Sequence, residues 1–170
     1  FAADVGSDGF SDIWDIVEHD GDLYFRALRW LFQVDAQCGR ERVWHAPNRL
    51  GGIVEHAGQL LVNFRGEGIK RLGGDTFELF PGGAEFAAKP AFFLLSLDAK
   101  RLLVHDQTPR LALIEDGRVT VLQQGGDTAH ISAAIALDAN RAAFGGDDGR
   151  LRIVDIASGQ TQTIPLGVSF

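Results

Sequence analysis

Four ten-residue segments with a similar hydrophobic pattern are spaced along the chain. The first two begin with the same four letters, "IVEHDGDLYF" at 16–25 and "IVEHAGQLLV" at 53–62. Two more segments follow the same pattern, "LSLDAKRLLV" at 95–104 and "IALDANRAAF" at 135–144. In each segment, apolar stretches flank a polar turn that contains Asp, Asn or Gly. This pattern predicts a hairpin of two short strands.

Each hairpin is followed by two further apolar stretches, which are separated by another turn. The third stretch reads "LFQVD", "IKRLG", "LALIE" or "LRIVD", and the fourth reads "RVWH", "TFELF", "RVTVL" or "TQTIP". Pro90 argues against a continuous helix in "AEFAAKPAFF". The chain therefore repeats a unit of four short strands about every 40 residues, with approximate repeats at 10–46, 47–83, 90–126 and 130–167.

A four-stranded unit with this period is typical of a β-propeller blade. We therefore predict an all-β fold, a β-propeller built of four-stranded antiparallel blades, with about four blades in a single propeller region over 1–170. The nearly continuous apolar runs "FFLLSL" and "ISAAIAL" predict that the first strand of each blade is the most buried. A four-bladed ring, a fragment of a larger ring and a ring completed by two chains all remain open, and the absence of methionine favours the fragment.

Composition narrows the classes of partner. The formal net charge is −7 and the pI is about 5.1, which argues against nucleic acid or an anionic membrane as the partner. The single cysteine, Cys38, cannot form an intrachain disulfide and excludes cysteine-based zinc clusters. No apolar run approaches the length of a membrane-spanning helix. We expect neither a metal nor a cofactor.

The duplicated "IVEH" offers two interpretations. His19 and His56 could form a pair of metal-binding or general-base histidines, or they could introduce the turn of the first hairpin. The other two repeats carry Asp98 and Asp138 at the same place. Because His and Asp share a tolerance for turn geometry, we expect a structural role.

The loops that join the second and third strands are the expected binding surface, since loops on a rigid scaffold usually carry binding function. Their mixed charge suits a small polar ligand, a carbohydrate or a loop of a partner protein. No Ser-His-Asp order or glycine-rich phosphate loop stands out, so we assign no catalytic residue. The candidate ligand-binding residues are Arg26, Arg65, Glu67, His105, Asp106, Asp147 and Asp148, and Arg29 lies in the same loops.

Several segments resemble the two-component regulator propeller repeats. The best match is "RGEGIKRLGGDTF" at 65–77, with Ile69 and Leu72 at key apolar places. The resemblance implies a sensory module of a bacterial receptor. Such a module is periplasmic or otherwise extracytoplasmic and is attached to a membrane segment and an output domain, a histidine kinase or a diguanylate cyclase. A cytoplasmic location remains open.

We therefore predict a non-catalytic sensory or ligand-binding propeller that acts in signal transduction, and a homodimer is among the expected assemblies. A soluble propeller scaffold for protein–protein interaction is the alternative. A propeller lyase or hydrolase is a third hypothesis, but it requires His and Glu residues clustered from several blades. The histidines fall at different points of the repeat, which argues against it. They are His19, His45, His56, His105 and His130.

Overall fold

The computed structural model describes residues 12–35, 37, 41–106, 108, 110–124 and 131–167. These residues contain sixteen β-strands and one short 3-10 helix. The chain divides into two compact units, which we call unit 1 (Phe1–Pro90) and unit 2 (Ala91–Phe170). Among the described residues, no helix is long and apolar enough to cross a membrane.

Unit 1 contains two four-stranded antiparallel sheets, blades 1 and 2, in which each strand pairs with the next along the chain. A 3-10 helix, Gly83–Phe86, follows blade 2. The strands of blade 1 are β1 (Asp15–His19), β2 (Asp22–Arg26), β3 (Trp30–Val34) and β4 (Glu41–His45), and those of blade 2 are β5 (Leu50–His56), β6 (Gln59–Phe64), β7 (Gly68–Gly73) and β8 (Thr76–Leu79).

Unit 2 contains blades 3 and 4, which have the same antiparallel order. The prediction of four-stranded antiparallel blades is therefore confirmed in both units. The strands of blade 3 are β9 (Ala91–Ser96), β10 (Arg101–Asp106), β11 (Arg110–Glu115) and β12 (Arg118–Gln124), and those of blade 4 are β13 (Ile131–Asp138), β14 (Arg141–Gly146), β15 (Arg150–Asp155) and β16 (Thr161–Pro165).

The duplicated "IVEH" ends the first strand of blades 1 and 2 and caps the following turn. The Glu18 carboxylate accepts the backbone N–H of Gly21 at 2.9 Å, and Glu55 accepts that of Gly58 at 2.7 Å. Both glycines, and the residue before each of them, have positive φ, which is the geometry of a tight type I′ hairpin turn. The structural interpretation of the tetrapeptide is confirmed.

Unit 2 closes the equivalent turns with aspartate and arginine. Asp98 Oδ1 accepts the backbone N–H groups of Lys100 and Arg101, both at 2.9 Å, and Asp98 Oδ2 accepts the Arg101 side chain. Asp138 binds Asn140 and Arg141 in the same way. These hydrogen bonds hold the pKa of Asp98 below its usual value, and the bond from the Lys100 backbone has the largest effect.

The core of unit 1 lies between blades 1 and 2. Trp44 of blade 1 packs against it, stacks on Tyr24 with ring centroids 6.3 Å apart, and donates its Nε1–H to the Asp75 carbonyl at 3.1 Å. A partly buried ring with a satisfied N–H is a common way for tryptophan to contribute to a core. The buried members of the cluster are Tyr24, Leu31, Ala46, Leu50, Ile53, Leu60, Val62 and Phe64.

Unit 2 has a corresponding core between blades 3 and 4. Ala142 and Phe144 occupy alternate positions of β14, as the two-residue period of a strand requires. The buried members are Leu97, Leu103, Leu111, Ile131, Ala142, Phe144, Val154 and Ile156.

The prediction that the first strand of each blade is the most buried is wrong. In β13, Ile135 is 61% exposed, whereas five of the six residues of β6 and of β10 are buried. The first strand has a neighbour on only one side because it forms an edge of its sheet, and the second strand has a neighbour on both. A continuous apolar run was therefore a poor guide to which strand lies deepest.

Candidate functional site

One end of unit 1 is formed by two turns and two connections that are joined by backbone hydrogen bonds. The turn after β2 meets the connection between blades 1 and 2, because the N–H of Ala46 donates to the Arg29 carbonyl at 2.8 Å. That connection meets the turn after β6 through Arg65 N–H and the Arg49 carbonyl, at 3.1 Å. Gly66 N–H in turn donates to the Ala87 carbonyl at 3.1 Å. We call this surface the loop end of unit 1.

Four basic side chains lie on the loop end of unit 1, and we call them the basic edge: Arg29, Arg49, Arg65 and Lys89. Arg29 is half-buried and donates to the carbonyls of Ala46 and Pro47, at 3.4 and 3.0 Å. The other three are exposed, and none of these three forms an ion pair with another described residue.

Arg26, a predicted site residue, is committed to the fold. It is the last residue of β2, and its Nε donates to the Asp15 carboxylate at 2.6 Å. Its Nη1 donates to the Leu50 carbonyl at 3.3 Å, which joins blade 1 to the first strand of blade 2. These contacts give Arg26 a packing role inside unit 1.

Glu67 also has a partner in its own blade. Its carboxylate binds Lys70 Nζ at 2.5 Å, and that ammonium lies 5.1 Å from the centre of the Phe64 ring. The charge of Glu67 is therefore locally balanced by Lys70. Arg65, two residues before it in the same turn, remains as an exposed positive charge.

Asp106, in unit 2, is fully buried at the end of β10. Its carboxylate accepts the backbone and hydroxyl of Thr108 at 2.8 and 2.7 Å, and Arg110 Nε at 2.7 Å. Burial alone would raise the pKa of Asp106, but the bonds from Thr108 and Arg110 outweigh it and hold the pKa below its usual value. Asp106 is thus an ionised group in a structural ion pair.

The turn after β14 contains Asp147 and Asp148, and both are exposed. Asp148 binds the guanidinium of Arg152, whose side chain is almost fully buried on β15. The hydrogen bond from Arg152 is the main cause that holds the pKa of Asp148 below its usual value. Blade 4 therefore has an aspartate–arginine pair four residues apart, as blade 3 has.

His105 and His56 are buried strand residues. The ring of His105 lies between those of Phe93 and Phe144, with centroids 6.2 and 6.1 Å away. His56 meets Phe80 edge to face at 6.1 Å. His105 and Asp106 were predicted to lie in a loop, but both lie in β10.

The predicted residues thus fall into two groups, with Arg26, Arg65 and Glu67 in unit 1 and the four others in unit 2. Arg49 and Lys89 were not predicted from the sequence, because they lie in connections that follow the fourth strands of blades 1 and 2. The hydrogen bond between residues 49 and 65 brings Arg49 to the loop end, and the bond between residues 66 and 87 brings the connection that carries Lys89. In the described parts of the chain, no group of three His, Cys, Asp or Glu side chains could hold a metal ion.

Comparisons with known proteins bear on the fold. No protein-family model matches the sequence, and no curated protein matches it. Among solved structures, the WD40 β-propeller domain of Doa1 superposes with a TM-score of 0.57 at 11% identity. The match covers 87% of this chain and 53% of that one, so the chain spans about half of that structure.

A second solved structure is a protein of unknown function from Bacteroides caccae. It matches with a TM-score of 0.65 at 14% identity, over 96% of this chain and 65% of that one. Identities this low speak to the fold alone. Together with the four-stranded blades, these matches confirm the β-propeller fold.

Proposed function

We propose that this chain is a non-catalytic binding module that recognises a partner protein through the loop end of unit 1. A propeller fold, shared with a WD40 domain, is consistent with a protein-interaction scaffold. The observation that carries the proposal is a hydrogen-bonded set of loops with three exposed cations, none of which forms an ion pair with another described residue: Arg49, Arg65 and Lys89. Rigidly positioned loops with available charge are typical of recognition surfaces.

The state of two carboxylates in unit 2 argues against a general-acid role for either of them. A general acid needs a pKa near the working pH, and enzymes obtain it by raising a carboxylate pKa. The pKa values of Asp106 and Asp148 are shifted the other way by their arginine and threonine partners. Both groups are therefore ionised at neutral pH and have no proton to give.

The finer proposal is that the module is the input region of a bacterial signal-transduction receptor. It rests on the resemblance of residues 65–77 to two-component regulator propeller repeats. In such a receptor, partner or ligand binding would favour one packing of the blades and thereby bias an attached output domain. The parent gene tests this proposal directly, since it must encode a membrane segment and a kinase or cyclase domain.

A loop-replacement variant tests the binding function itself. Residues 47–49 and 65–67 are replaced by Gly and Ser, and proximity labelling in the native cells compares this variant with the unaltered protein. We expect a reproducible set of protein partners that the variant loses while its circular dichroism spectrum is unchanged. Reproducible turnover of glycoside, ester or polyuronide substrates by the unaltered protein would instead establish an enzyme.

A further inference from the structure

We propose that the basic edge of unit 1 binds an acidic segment of a partner protein, one rich in Asp and Glu. The proposal rests on the proposed function and specifies the chemistry of its partner. Its first support is the contrast between this edge and the rest of the chain. The protein carries a net charge of −7, yet the basic edge presents Arg49, Arg65 and Lys89 together with the half-buried Arg29.

Several cations elsewhere in the protein are already paired. Arg26, Lys70, Arg101 and Arg152 each bind a carboxylate within their own unit. The exposed cations of the basic edge form no such pair among the described residues. Glu67, in the same turn as Arg65, is paired with Lys70, and Glu85 of the 3-10 helix is an exposed carboxylate of the same unit. The edge therefore has positive charge available for an external anion.

The backbone brings the starting points of the Arg49 and Arg65 side chains together. Residues 49 and 65 are joined by a hydrogen bond of 3.1 Å, so their side chains start from adjacent backbone segments. Arg29 is fixed to the same connection through the carbonyl of Pro47. Two arginines spaced in this way can each bind a carboxylate through both nitrogens of the guanidinium, which a point charge such as lysine cannot do.

Two aromatic side chains are neighbours of the basic edge along the chain and favour a polypeptide. Trp30 follows Arg29 in sequence. The centroids of the Trp30 and His45 rings are 4.1 Å apart. His45 is exposed and directly precedes the connection that carries Arg49. Aromatic surface beside arginine is enriched at protein interfaces. A long nucleic-acid polyanion would meet the net negative charge of the remaining surface, which opposes its binding.

The test is a titration of a short fluorescein-labelled Glu-rich peptide, followed by fluorescence anisotropy. We expect saturable binding to the unaltered protein that weakens as salt is added, because exposed charges are screened. Arg49→Glu and Arg65→Glu should each weaken binding about tenfold, since each replaces an attraction by a repulsion. Arg118→Glu, the same charge change at the exposed first residue of β12 in unit 2, is the matched control and should leave the affinity unchanged.

Other outcomes overturn the proposal. Equal loss of affinity in the Arg118→Glu control would mean that net charge, and not the basic edge, governs binding. Equal or tighter binding of single-stranded RNA would make the edge a site for any polyanion. Absence of peptide binding, with the partner set of the loop-replacement experiment intact, would reject the acidic segment while leaving the proposed function standing.

Discussion

Asp106→Asn is expected to destabilise unit 2 by about 3 kcal/mol, which is the usual cost of breaking a buried ion pair from one side. The carboxylate of Asp106 is fully buried and binds Arg110 and Thr108. The substitution removes the charge that offsets the buried guanidinium of Arg110, which is only 8% exposed.

Denaturant unfolding followed by circular dichroism, with hydrogen exchange of residues 101–115, measures this loss. Tryptophan fluorescence does not report it, because Trp14, Trp30 and Trp44 all lie in unit 1. Glu115→Gln, at an exposed residue of β11, is the matched control and should change stability by less than about 0.5 kcal/mol. If the two variants lose the same stability, Asp106 contributes no more than a surface carboxylate.

The same variant should alter the response to acid. The pKa of Asp106 lies below its usual value in the folded state, so the folded protein binds this proton less readily than the unfolded chain. Its contribution to stability is therefore complete above the unfolded pKa of about 3.9 and is lost as the pH falls through the lower folded value. Asp106→Asn should flatten the decline in stability below about pH 4, and an unchanged pH profile would contradict the ion pair.

Gly68→Ala is expected to cost unit 1 about 3 kcal/mol, because it combines backbone strain with a steric clash. Gly68 has a φ of +96°, and an added Cβ would lie 2.4 Å from the carbonyl oxygen of Gly83. That oxygen belongs to the backbone where β7 meets the 3-10 helix, so it cannot move aside as a flexible side chain would. Tryptophan fluorescence during denaturant unfolding measures this loss in unit 1.

Gly74→Ala separates the two causes. Gly74 also has a positive φ, +64°, but an added Cβ there would meet no atom within 4 Å. The control should therefore lose only the cost of strain, about 1 kcal/mol. Equal losses in the two variants would mean that close packing against Gly83 does not account for the glycine at position 68.

Much of the fold was predictable because short sequence patterns determine the strands and turns, and these patterns repeat along the chain. Alternating apolar residues define each strand, and Asp-Gly or Ala-Gly after "IVEH" defines a hairpin turn. Burial was less predictable. Ile135 sits in an apolar run and is nevertheless 61% exposed, because β13 is at the edge of its sheet. Hydrophobic pattern identifies a strand but does not identify its neighbours.

The candidate site was harder to predict because its residues are joined across blades. The turn that carries Arg65 could be read from the repeat, but its hydrogen bond to residue 49 depends on how blade 2 follows blade 1. Several charged side chains that were predicted to bind a ligand also turned out to be paired within the protein. Arg26, Asp106 and Asp148 look available in the sequence, whereas each is bound to a partner within its own unit.

Hydrogen exchange of the protein with and without the Glu-rich peptide tests the central claim most directly, namely that the loop end of unit 1 is the binding surface. We expect slower exchange of backbone amides at 46–50 and 64–67 when the peptide is bound, with no change at the turn 147–149 of unit 2. Protection confined to unit 2, or no protection at the loop end under saturating peptide, would contradict the account.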